Sequence, residues 1–135
     1  MTEVISPFED TIHSYSRADA LTDGTLRDVT ALAGQQGILL PTAIASHAWG
    51  LAVAWNDENG ALQDETGRLW DVLTMAGHIL RAAARQNLSG RQDFSLYVVP
   101  NAPGASDAER VVLGIEIGPG DCGEPVLTIT APGDR

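Results

Sequence analysis

Three places in this chain of 135 residues hold side chains whose types and spacing could do chemistry. The first is the loop Gly118-Pro119-Gly120-Asp121-Cys122-Gly123-Glu124. Backbone N–H groups in such a loop can form a nest for an anion, and Asp121 with Glu124 could form a small acidic site. The same residues also make an ordinary β-turn, with glycines supplying positive φ and Pro119 pre-setting the bend. No GxxxxGK[ST] pattern and no strand–glycine–helix order is present, so this is not a nucleotide-binding loop. The second place is the set His13, His47 and His78, which would need a carboxylate such as Asp71 to hold a metal. Asp71 and His78 stand seven residues apart, about 10 Å along one helix. None of the local spacings that mark metal sites occurs, and neither a metal nor a cofactor is expected. Ser46-His47, and Cys122 with a histidine, raise nucleophile–base chemistry, but no GxSxG elbow accompanies them. The third is Trp70, at the edge of a helical apolar stripe, where an indole can bury its ring and keep its N–H wet. Such a residue can anchor a partner protein, whereas Trp55 reads as core between helices.

These residues depend on the segment Asp64–Gln86, DETGRLWDVLTMAGHILRAAARQ. Leu69, Val72, Leu73, Ala76, Ile79, Leu80 and Ala83 recur at spacings of three and four, which predicts one amphipathic helix. Arg68, Asp71, Thr74, His78, Arg81 and Arg85 fall on its other side, with Arg68 and Asp71 read as a surface ion pair. Asn87, Ser89 and Gly90 end it. A stripe this long needs a surface to lie on. Phe94–Val99, Arg110–Ile117 and Pro125–Thr130 are rich in β-branched and aromatic residues and bounded by turn formers, which predicts three strands. Their short connections predict an antiparallel meander, with Glu116 facing away from Ile115 and Ile117.

Upstream, Met1 to about Ser14 lacks any period and reads as a flexible arm, residues 1–14, ahead of a single domain over 15–135. Ser16-Arg17-Ala18-Asp19 resembles a capping box opening a short helix to Leu21, ended by Asp23-Gly24. Thr25–Val29 alternates and could add a fourth short strand, and Thr30 caps a helix to Gln36. Ile44, Ala48, Leu51 and Trp55 suggest a further helix from about Pro41 to Trp55, covered on most sides. The expected architecture is α+β: N-terminal helices, then a long central amphipathic helix packed on a C-terminal three-stranded antiparallel sheet.

Composition narrows the function. Hydrophobic residues make up 44%, an ordinary globular share. No apolar run of about 18 residues predicts a membrane span. One cysteine excludes an internal disulfide, and the acidic Glu3, Glu9 and Asp10 are unlike a basic secretory leader, so a cytoplasmic protein is expected. Net charge is −10, and all eight cations are arginines, so no basic stripe is offered to nucleic acid. The acidity suits solubility, and it equally suits a basic partner.

Four phrases, SYSRADALTDGTLRDVT, LLPTAIASHAW, DETGRLWDVLTMA and GPGDCGEPVLTITAPGD, together resemble an uncharacterised family of small bacterial proteins, a domain of unknown function. GRLWD at 67–71 and GPGDCGEP at 118–125 are the sharpest of these, and the likeness runs from about Ile12 to Asp134. Members of that family are often met on plasmids, phages and other mobile elements. The resemblance implies a domain type and a genomic habit, and it transfers no catalytic residue to any position.

The reading that follows is a non-enzymatic, acidic protein-binding module. As an accessory or counter-defence protein of a mobile element it would act on a basic or nucleic-acid-binding host protein. Trp70, Asp71, His78, Asp121 and Glu124 are its candidate binding residues. The alternative is a small enzyme or ligand binder with a site between the central helix and the 118–124 turn. The width of apolar surface on the two long helices also predicts a homodimer.

Overall fold

A computed structural model describes residues 15–135, so the predicted arm over 1–14, and His13 with it, lie outside the described residues. The elements in order are helix α1 (Arg17–Asp23), strand β1 (Leu26–Asp28), helix α2 (Thr30–Gln35), strand β2 (Thr42–Ala45), helix α3 (Ser46–Ala52) and a 3-10 turn (Asp57–Asn59). Then come helix α4 (Glu65–Arg85) and strands β3 (Gln92–Val98), β4 (Glu109–Pro119) and β5 (Pro125–Thr130), with a last 3-10 turn at Pro132–Asp134.

The long helix forms where the stripe places it. Asp64 caps its N-terminus by accepting a hydrogen bond from the Gly67 N–H at 2.6 Å. Leu69, Val72, Leu73 and Ala76 join one core with Phe94, Leu96, Leu113, Ile115, Leu127 and Ile129 of the strands. α4 therefore covers one face of the sheet. Phe94 lies opposite Leu113, Ile115 opposite Ile129, and Ile44 beside Ile129, so one buried apolar face extends over four strands. Glu116 is exposed, as the alternation requires.

The sheet itself differs from the expectation. β3, β4 and β5 do form the antiparallel meander, and the short strand at Leu26–Asp28 is present. But the sheet has five strands in the order β1-β2-β5-β4-β3, and β2 runs parallel to β5, so it is mixed. The added strand is Thr42–Ala45, which the sequence reading placed inside a helix running from Pro41 to Trp55. Only Ser46–Ala52 is helical there. The cause is burial on both faces: all four residues of β2 are buried. A short apolar run of this kind has the same pattern whether it lies in a central strand or a buried helix. Pro41 fits the entry to a strand as well as it fits a helix start.

The opposite face is partly covered by α1. The Arg17 guanidinium reaches across it, donating to Thr128 Oγ1 at 2.7 Å and to the Leu127 carbonyl at 3.0 Å. Burial of that guanidinium lowers its pKa, against the opposing pull of Asp121, Asp28 and Glu124. The capping box expected at Ser16 and Asp19 is present.

Candidate functional site

The five candidate residues fall into three separate places. Trp70 and Asp71 lie together on the first half of α4. Trp70 is 39% exposed, and both line a cleft of about 520 Å³ shared with Leu32 and Gln35 of α2 and with Leu62 and Asp64 of the preceding loop. Leu62 is fully exposed, although it belongs to the otherwise polar loop Asn56–Gln63. Asp71 is exposed, and among the described residues its carboxylate takes part in no hydrogen bond and no ion pair. Leu32 also lines a neighbouring cleft of about 590 Å³, bounded by Leu21, Arg27, Asp28, Trp49 and Leu69. The two clefts thus flank α2 and meet at one leucine.

Arg68 is placed differently from its expected surface ion pair with Asp71. It is 4% exposed. Its Nε donates to the Val53 carbonyl at 3.0 Å, and its Nη1 to the Val99 carbonyl at 2.8 Å and to Gln63 Oε1 at 3.3 Å. The guanidinium lies 5.0 Å from the centre of the Trp55 ring. Its Nη2 is buried without a hydrogen-bond partner among the described residues. Burial lowers its pKa, while Glu65 and Asp71 act to raise it. The helical stripe did not separate this arginine from its exposed neighbours, because the carbonyls it serves belong to α3's end and β3's end. Arg68 lines the outer cleft as well, between Asp64 and Asp71, with its guanidinium buried.

Asp121 and Glu124 occupy the β4–β5 turn and have work inside it. Asp121 accepts from the backbone N–H groups of Arg17 at 2.8 Å and Ala18 at 3.0 Å, which caps α1 from a distant loop. Those two backbone bonds hold its carboxyl below the usual aspartate range. Glu124 Oε1 accepts from the Cys122 N–H at 2.9 Å, and its carbonyl from the Gly120 N–H at 2.6 Å. A Cβ at Gly120 would fall on the Glu124 carboxyl, and Gly123 has φ of 83°. Gly123 is thus accounted for by turn geometry and Gly120 by the close approach of Glu124. Cys122 is exposed and free.

His78 is exposed two turns beyond Asp71 and lines neither cleft. His47, read as a core or interface residue, is exposed, and its backbone N–H donates to Asp134 Oδ1 at 2.8 Å. Neither of the cavities that Asp71 lines reaches Asp121 or Glu124, so the structure holds the helix candidates and the turn candidates apart. Among the described residues no group of three or more His, Cys, Asp or Glu could hold a metal ion, and no helix is long and apolar enough to cross a membrane.

This α+β fold, with its mixed five-stranded sheet and bordering clefts, coincides with a sequence family. The profile of a family of unknown function, DUF6573, matches residues 5–135. The chain belongs to that family. No curated protein and no solved structure matches it.

Proposed function

We propose that this chain is a non-enzymatic protein-binding module that docks its partner on the acidic, tryptophan-bearing cleft at the start of α4. The observation that carries the reading is the meeting of Trp70, 39% exposed, with fully exposed Leu62 and the carboxylates of Asp64 and Asp71 around one cleft of about 520 Å³. An aromatic and aliphatic anchor inside a polar rim is the make-up of a protein interface centre. A net charge of −10 favours a basic partner, such as a nucleic-acid-binding protein, by speeding encounter and rejecting acidic competitors. In this reading the chain is a bacterial accessory or counter-defence protein of a mobile element and works in the cytoplasm.

Affinity capture with the wild-type chain, Trp70→Ala and Asp71→Lys tests it. The wild type is expected to retain a basic protein, and both variants to lose it while keeping the wild-type circular dichroism. Equal retention by all three, or a retained protein that is itself acidic, overturns the reading. A retained second copy of this chain would assign the cleft to a homodimer instead.

A further inference from the structure

Two of the three tryptophans carry an arginine over the ring, Arg27 at 4.4 Å from Trp49 and Arg68 at 5.0 Å from Trp55. Trp70 has no such cation among the described residues. The first fourteen residues contain neither lysine nor arginine, so they bring no such side chain to it either. Asp71 follows Trp70 in sequence, lines the same cleft and, among the described residues, makes no hydrogen bond and no ion pair; Arg68 lines the cleft too, but its Nε and Nη1 are given to the carbonyls of Val53 and Val99. An exposed indole next to an exposed carboxylate is suited to a planar cation. The guanidinium can stack on the ring while its N–H groups meet the carboxylate, and each contact screens the other from water.

We infer that Trp70 and Asp71 form a receptacle for an arginine side chain presented by the partner protein. The inference rests on the protein-binding reading above and adds the chemistry of the contact. Leu62 and Leu32 border the same cleft and supply apolar contact for the arginine's methylene stem or for a neighbouring aliphatic residue. Asp64 lines the cleft too, but its Oδ1 is already engaged with the Gly67 N–H, so Asp71 is the principal charge partner.

The test uses the full chain, ¹⁵N-labelled, with the Trp70 signal among its three indole N–H signals assigned through Trp70→Phe. N-acetylargininamide, N-acetyllysinamide and the neutral isostere N-acetylcitrullinamide are titrated separately. The arginine amide is expected to shift the Trp70 indole signal saturably, with the citrulline amide about tenfold weaker and the lysine amide between them. Asp71→Asn is expected to weaken the arginine amide about fivefold with the remaining spectrum unchanged. Equal shifts by arginine and citrulline amides, tighter binding of lysine than arginine, or a Trp70 signal that does not move overturns the inference. Loss of captured protein in Trp70→Ala alongside an unmoved Trp70 signal would leave the binding reading standing and remove only the arginine. Binding of the arginine amide with no loss of captured protein would do the reverse.

Discussion

The carboxylate of Asp121 caps the helix that begins at Arg17, accepting the Arg17 N–H at 2.8 Å across 104 residues of sequence. Its other oxygen takes the Ala18 N–H at 3.0 Å, while Ser16 takes the Asp19 N–H at 2.9 Å. With the Ser16 N–H donating to Asp19 Oδ2 at 3.2 Å, all four N–H groups that a helix leaves unpaired at its start are satisfied, two of them from a distant turn. That turn fixes α1 against the sheet, and the fold closes through it.

A pH dependence follows. The backbone bonds to Ala18 and Arg17 lower the Asp121 pKa in the folded chain. The stabilisation is present above the unfolded value of about 3.9 and is lost as pH falls through the lower folded value. Asp28, lowered by its bonds to Thr30, acts in the same direction. The melting temperature is expected to fall steeply below about pH 4, and Asp121→Asn to show a shallower fall from a lower starting point. Thermal melts at a series of pH values between about 6 and 2 check this.

Arg68 holds the end of β3 to the end of α3 through the carbonyls of Val99 and Val53. Arg68→Ala orphans both carbonyls and opens a cavity, so a loss of about 3 kcal/mol is expected. Arg68→Met keeps most of the volume and is expected to lose about half as much. Urea denaturation with unchanged slope and a shifted midpoint is the measurement.

Leu73 is completely buried between α4 and the sheet, whereas Trp70 on the same helix is 39% exposed. Leu73→Ala is expected to cost about 2–5 kcal/mol. Trp70→Ala is expected to cost about 1 kcal/mol in stability while removing partner binding. The contrast, read by denaturation and capture on the same samples, separates the helix's packing side from its docking side.

How much of this was legible in the sequence depends on how local each signal is. The stripe of α4 and the alternation of β3 to β5 are local patterns with correct periods, so those elements and their packing could be read directly. β2 could not. Thr42–Ala45 is four residues long, buried throughout, and pairs with a strand that follows more than eighty residues later. Nothing local separates that from a buried helical turn. An amide-to-α nuclear Overhauser effect between Ala43 and Thr128 is expected from the parallel register and would be absent from a helix.

The candidate site divides the same way. Trp70 could be placed at the margin of the stripe and Asp71 on its polar side because helical phase is local. The use of Asp121 could not be read, since its partners are backbone groups of Arg17 and Ala18, and any aspartate in a glycine-rich turn looks equally available for a ligand. Arg68 was assigned to the surface from its phase alone, and its burial depends on the carbonyls of Val53 and Val99. Leu62 had a weak signal: a leucine in a polar loop with no periodic partner.

Site-specific cross-linking tests the central claim most directly. With the photoreactive residue p-benzoylphenylalanine at position 62, in the cleft that Trp70 lines, irradiation in cells is expected to trap one basic protein, and Trp70→Ala in the same chain is expected to abolish the adduct. The same residue at position 116, on the exposed far face of the sheet, is expected to give none. An adduct at 116 with none at 62, or an adduct at 62 that survives Trp70→Ala, would contradict the assignment of this cleft as the docking surface.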